Sequence, residues 1–307
     1  MSTEVVFGQM LIVFALMFAG LLLCKCNIIS KASSKDFSAL VVNVCSPALL
    51  IMSVFTTDAH IEKSSLVLFF GYSMIAYVIM ILFGYFTNIV LKIPKHQRGD
   101  YQLMTIFGNC GFIGIPVAQA LFGPQSLVYV AAFNLCYNIF FYTYGFWIIT
   151  SDIEGVTIKS QFKNMINPGT ISCVITIVIF WFDLKIPVLI QDFCTYAGQP
   201  STLLALVVIG ISLADMDIKA ALKDKKFFAF TFLRFLIFPI AFISVMKLFI
   251  ADLLIRSTMA LMIAVPVGNM PAMVRAQYQQ DDTLTAKGAV ITTTLSVITI
   301  TIVCMFI

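Results

Sequence analysis

Two short stretches of this 307-residue chain combine groups able to bind a solute with residues that stop a helix. GNCGFIGIP, residues 108–116, holds three glycines, an asparagine and a proline, and VPVGNMP, residues 265–271, holds a glycine, an asparagine and two prolines. Proline lacks a backbone N–H and is tolerated at the first position of a helix, where that donor has no partner anyway. Pro116 and Pro271 are therefore expected to open short helices, PVAQALFG and PAMVRAQYQQ. The unpaired N–H groups and positive dipole at a helix start favour anions. Asn109 and Asn269, just upstream, add amides that can donate or accept and so suit a carboxylate or a hydroxyl. Their plainer role is to satisfy the broken backbone.

Further polar residues gather around these stretches. Gly111 and Gly114 belong to the first, Gln119 lies three residues past Pro116, and Arg275 lies four residues past Pro271, about 6 Å into its helix at 1.5 Å per residue. A cation there sits at the dipole end that disfavours it, so an anionic solute is its expected partner, with Asp281 or a lipid phosphate as the alternative. Asn134 and Asn138 are one helical turn apart and share a face. Asn43 precedes Pro47 by four residues and either lines the same cavity or bonds a carbonyl freed by that proline. Arg234, among phenylalanines, is accounted for by snorkelling or packing on an aromatic face.

The elements that must position these residues are set by composition. Hydrophobic residues make up 60% of the chain and charged residues 11%, against about 25% charged in a soluble domain. Apolar runs long enough to span a bilayer are separated by short charged clusters. Ten spans are predicted: 6–24, 37–55, 66–91, 101–123, 127–149, 169–184, 200–214, 227–248, 256–279 and 285–307. With Lys247, Arg256 and Lys287 at the span edges counted with the adjoining loops, loops after the odd-numbered spans hold 13 of the 19 Lys and Arg residues, and those after the even-numbered spans hold 4. The positive-inside bias then places the odd loops in the cytoplasm and both termini outside. The N-terminus lacks the basic region of a signal peptide, so the first run is read as a retained helix.

Five spans in each half (residues 1–150 and 169–307, joined by a short cytoplasmic linker at 151–168) force the halves to be inverted relative to each other. The breakers echo this: SPALLIMSVF in span 2 against QPSTLLALVVIGISL in span 7, and the two opening stretches in spans 4 and 9. Irregular backbone at membrane depth survives only when buried in protein or lining a wet cavity. Two half-helices, each roughly 15 Å long, would meet near the midplane, the arrangement of a secondary transporter with a central site.

The eight cysteines lie mostly in apolar runs and read as small buried side chains, and His60 and His96 fall in polar loops. No cofactor, metal or nucleic-acid partner is expected, and an enzyme is disfavoured because no Ser-His-Asp grouping or phosphate loop is present. No Asp or Glu falls in the interior of a predicted span, Asp183, Asp215, Asp281 and Asp282 all lying at ends, which disfavours a proton/cation antiporter. Coupling through a protonated substrate, or through sodium held by carbonyls and hydroxyls such as Thr292–Thr294, stays open.

NVCSPALLIMSVF in span 2, GNCGFIGIPVAQALFG in span 4, PVGNMPAMVRAQYQQDD in span 9 and AVITTTLSVIT in span 10 together resemble the auxin efflux carrier family over nearly the whole chain. The resemblance implies an all-α fold of ten transmembrane helices in two inverted repeats, similar to the bile-acid symporters and sodium/proton antiporters, with helices 4 and 9 broken and crossed. Helices 1, 2, 6 and 7 would form a scaffold and a homodimer interface, and helices 3–5 and 8–10 a moving domain, in a multi-pass protein of the plasma membrane. The short linker resembles minimal prokaryotic members associated with malate and malonate, so the expected solute is a small organic anion moved by an elevator, with H+ or Na+ as the coupling ion. A symporter of larger amphipathic acids and a membrane sensor are the alternatives.

Overall fold

A computed structural model describes residues 3–56, 61–151, 165–214 and 224–306; most of the predicted linker, the loop holding His60 and the loop before Asp224 lie outside these. Among the described residues the chain is helical throughout, with a single isolated β-bridge between Gly108 and Val267. The helices are α1 (Thr3–Lys25), α2 (Ser33–Met52), α3 (Lys63–Val90), α4 (Arg98–Ile106), α5 (Cys110–Phe122) and α6 (Ser126–Thr150). They continue as α7 (Pro168–Phe182), α8 (Val188–Ile211), α9 (Lys225–Phe249), α10 (Leu253–Ala264), α11 (Met270–Gln277) and α12 (Thr283–Cys304). Five of these, α2, α3, α6, α8 and α9, are long and apolar enough to cross a membrane, and the bent α12 makes a sixth. The protein is a multi-pass helical membrane protein. Along α3, Val67, Leu68, Ile75, Leu82, Phe86 and Ile89 are exposed, an outer face that only lipid would solvate well.

Helix starts follow from local chemistry. Asn167, Asp224 and Asp252 each accept an N–H from the first turn of α7, α9 and α10, pairing donors that a helix start leaves open. Three prolines inside helices are accommodated by widening the turn ahead of them. π-turns at Val41–Cys45, Cys110–Gly114 and Leu233–Ile237 precede Pro47, Pro116 and Pro239 by two residues each. Such a turn absorbs the missing N–H and the clash of the proline ring with the carbonyl four residues back.

This corrects two expectations. Pro116 does not open a half-helix; α5 begins at Cys110, and Pro116 follows its π-turn within continuous helix. The seventh span does not begin at Pro200, because Gln199 keeps helical angles and α8 starts at Val188.

Packing sets α1 against α8, α2 against both α7 and α8, α7 also against α6, and α3 against α4 and α6. The α10 helix lies between α3, α6, α9 and α12. The α1–α8 contact is close enough that a Cβ on Gly20 would meet the Val207 carbonyl oxygen at 2.2 Å, and one on Gly210 the Met17 oxygen at 1.9 Å. Small residues permit such backbone approach where apolar burial adds little drive in lipid.

Candidate functional site at the crossing of two broken helices

The chain unwinds at residues 107–109 between α4 and α5 and at 265–269 between α10 and α11, and the two unwound stretches lie side by side, antiparallel. The Asn109 N–H donates to the Pro266 carbonyl at 2.7 Å, and the Gly268 N–H to the Phe107 carbonyl at 2.9 Å. The Val267 N–H donates to the Thr292 hydroxyl oxygen of α12 at 2.9 Å, and that hydroxyl donates onward to the Gly288 carbonyl at 2.8 Å. Three N–H groups freed by the breaks are thus paired by the opposite stretch or by one threonine, as burial demands. Gly108, Pro266, Val267 and Gly268 are all buried. A Cβ on Gly268 would approach the Gly108 carbonyl oxygen to 3.0 Å, so this contact needs glycine.

Four helix ends meet here. The α4 and α10 helices arrive with their C-termini, while α5 and α11 depart with their N-termini. At the start of α5, the Asn109 side-chain oxygen accepts from the Phe112 N–H at 3.1 Å, which fits an N-cap. The side-chain nitrogen of Asn109 donates to no described residue. Gly111, in the first turn of α5, is half-buried, and a Cβ placed on it would meet nothing within 4 Å, so open space adjoins that turn. Asn269 precedes α11, is exposed and makes no capping bond with its side chain. Pro271 sits at the start of α11, as its sequence position predicts.

The remaining sequence candidates divide. Gly114 is buried against Met262, where an added Cβ would stand 3.0 Å from the thioether. Pro116 is buried, and Gln119, one turn further, is half-buried with a side-chain oxygen that lacks a partner. Asn138 is half-buried and donates to the Asn134 carbonyl at 2.9 Å, as Asn134 does to Val130. Asn43 is exposed and donates to the Ala39 carbonyl at 2.8 Å, so its amide serves the α2 backbone.

Arg275 already has a protein partner. Its guanidinium lies 2.8 Å from the Asp100 carboxylate, both side chains being largely buried, and donates to the Gln280 side-chain oxygen at 3.1 Å. Because α11 ends at Gln277, Arg275 falls in its last turn, and Asp100 falls in the first turn of α4. Each charge therefore sits at the helix end that favours it. The sequence expectation of a disfavoured cation is corrected, since the half-helix is shorter than the predicted run. Sequence reading missed Asp100 by starting span 4 one residue too late. Nearby Asp281, fully exposed, is held below the usual carboxylate range by hydrogen bonds from Thr283.

Arg234 is not snorkelling: it is 1% exposed, with its guanidinium 4.9 Å from the Phe235 ring and 5.5 Å from the Phe238 ring. Aromatic packing is only part of its environment. Its side-chain nitrogens donate to the Thr105 carbonyl at the end of α4 and, at 2.9 Å, to the Ile263 carbonyl at the end of α10. Among the described residues no group of three His, Cys, Asp or Glu side chains is arranged to hold a metal. Thr292, one of the hydroxyls considered for sodium, is engaged by Val267 and Gly288. A narrow apolar cleft of about 10 Å3, room for roughly one water, runs between α1, α5, α8 and α12.

A family model described as membrane transport protein matches residues 5–304. The chain belongs to that family. This agrees with the auxin efflux carrier resemblance carried by its motifs, and it makes the protein a transporter rather than an enzyme. An uncharacterized transporter of Methanocaldococcus jannaschii is 22% identical over 300 residues, covering 94% of this chain and 95% of the relative.

Proposed function

We propose that this transporter carries small organic anions, carboxylates of the malate and malonate class, through a site formed by the N-terminal ends of α5 and α11 with the Asn109 and Asn269 amides. The observation that carries the reading is the crossing itself: two helix starts, an uncommitted amide and open space beside Gly111, all beside a paired and buried backbone. Half-helix N-termini aimed at a carboxylate near the midplane are a recurring transporter device. Arg275 holds α4 and α11 together through Asp100 and is left out of the solute site. Its expected role as the solute's partner would require that pair to open.

In this reading the helices form two inverted repeats of five spans, with α4/α5 and α10/α11 as the broken fourth and ninth spans. The helices α1, α2, α7 and α8, linked through the α1–α8, α2–α8 and α2–α7 contacts, make the scaffold, and the other helices move as an elevator past it. The protein would sit in the plasma membrane with both termini outside, in line with the loop charges.

The test is a thermal-shift screen of dicarboxylates, indole acids and amino acids on the purified protein. Dicarboxylates at about a hundred times their dissociation constant stabilise the folded state by about 2.7 kcal/mol, an upward shift of a few degrees. Stabilisation by cationic or neutral solutes alone would overturn the anion reading.

A further inference from the structure

The dipoles at the crossing do not by themselves favour an anion. Each helix end carries about half an elementary charge, positive at an N-terminus and negative at a C-terminus. Two N-termini and two C-termini meet here, so their charges cancel when seen from a few ångströms away. Something further must tip the balance.

Arg234 is the one residue described that reaches both C-termini. It is buried, and its acceptors are the Thr105 and Ile263 carbonyls and the Met80 thioether, all uncharged. Tyr77 and Cys110 are its titratable neighbours, and no carboxylate among the described residues pairs with it. A buried guanidinium without a counter-ion is costly unless surrounding dipoles replace water. The carbonyl ends of α4 and α10 supply such dipoles. One positive charge against two half-charges leaves those C-termini neutralised and the N-termini of α5 and α11 uncompensated.

We infer that Arg234 is the fixed positioning charge of the crossing, which gives the site its preference for anions by cancelling the C-terminal ends of both half-helices. This rests on the organic-anion reading above and adds the group responsible for its sign. It acts through the helix ends and does not touch the solute. Thr105 and Asn109 are four residues apart, which caps their separation at about 14 Å. At that range, with an effective dielectric constant of about 20, one unit charge changes binding of each carboxylate by roughly tenfold.

The experiment compares malonate with neutral malonamide, which has the same number of heavy atoms, for wild type, Arg234→Met and Arg234→Lys in detergent, alongside thermal melting. Wild type is expected to prefer malonate, Arg234→Met to lose that preference by roughly tenfold or more, and Arg234→Lys to keep it within a few-fold while melting lower. If Arg234→Met does not fold, Arg234→Lys decides alone. Its preference is expected to fall with rising pH as the buried lysine discharges, while that of wild type, which shares the Tyr77 and Cys110 neighbours, does not. A packing role would not produce that pH profile. Wild type that prefers malonate while Arg234→Met keeps the preference, or Arg234→Lys that follows the wild-type pH profile unchanged, overturns this assignment alone. Wild type that binds malonamide as tightly as malonate overturns the anion reading and the assignment together.

Discussion

Gly268→Ala should damage the crossing, and the size of the effect can be worked from the contacts. The new Cβ would stand 3.0 Å from the Gly108 oxygen, 3.2 Å from the Gly108 carbonyl carbon and 3.2 Å from the Phe107 oxygen. All three are backbone atoms of the opposite stretch, so no flexible side chain can yield, and the two stretches must part by a few tenths of an ångström. Two hydrogen bonds hold them, Gly268 to Phe107 and Asn109 to Pro266. Weakening both in a buried setting costs about 2 kcal/mol, which lowers the melting temperature by roughly 4–6 °C. Gly111→Ala is the control, since its Cβ meets nothing within 4 Å. Alanine also favours a helix over glycine by about 1 kcal/mol, so this variant should melt no lower than wild type. Its methyl group projects into the proposed solute space and should weaken malonate binding. Melting by fluorescence-detected size exclusion, paired with malonate titration, reads both effects. Gly268→Ala with wild-type melting, or Gly111→Ala melting below Gly268→Ala, would refute the reasoning.

Three further outcomes follow from the same contacts. Asp100→Asn and Arg275→Gln should each destabilise by about 1–3 kcal/mol, and the double variant by less than their sum, because each single change strands a largely buried charge; additivity in denaturant unfolding would contradict the pair. Thr292→Val should cost about 1–3 kcal/mol by orphaning the Val267 N–H, whereas Thr292→Ser should stay near wild type in the same unfolding measurement. Asn109→Asp keeps the cap on α5 and so should melt like wild type, but it sets a negative charge at the site and should weaken malonate binding at least about tenfold, while Asn109→Ala loses the cap at about 1 kcal/mol.

The sequence makes the interruptions legible and leaves their registration obscure. Proline and glycine mark where α10 gives way to α11, and Pro271 opens α11 where it should. In the first half the same logic points to Pro116, but a π-turn can carry a proline inside a helix, so the break lies at Phe107–Asn109 instead. Asn109 is visible as a candidate because its amide, just ahead of a helix breaker, can serve a solute or the broken backbone. Asp100 escapes because the hydropathy boundary of a span and the start of its helix differ by a few residues. The partners of Arg234 are not set by its neighbours in sequence. They depend on α9 passing the ends of both α4 and α10, a contact between segments more than a hundred residues apart in one case. An α9 signal does exist in hindsight: an arginine amid phenylalanines, two residues into a π-turn, with no acid nearby in sequence.

The most direct measurement is the position of a bound brominated malonate, located by anomalous scattering in crystals of the protein. The carboxylates are expected within hydrogen-bonding reach of the first-turn N–H groups of α5 and α11, beside Asn109 and Asn269. Density at the Asp100–Arg275 pair or in the apolar cleft along α1, with the crossing empty, would contradict that placement.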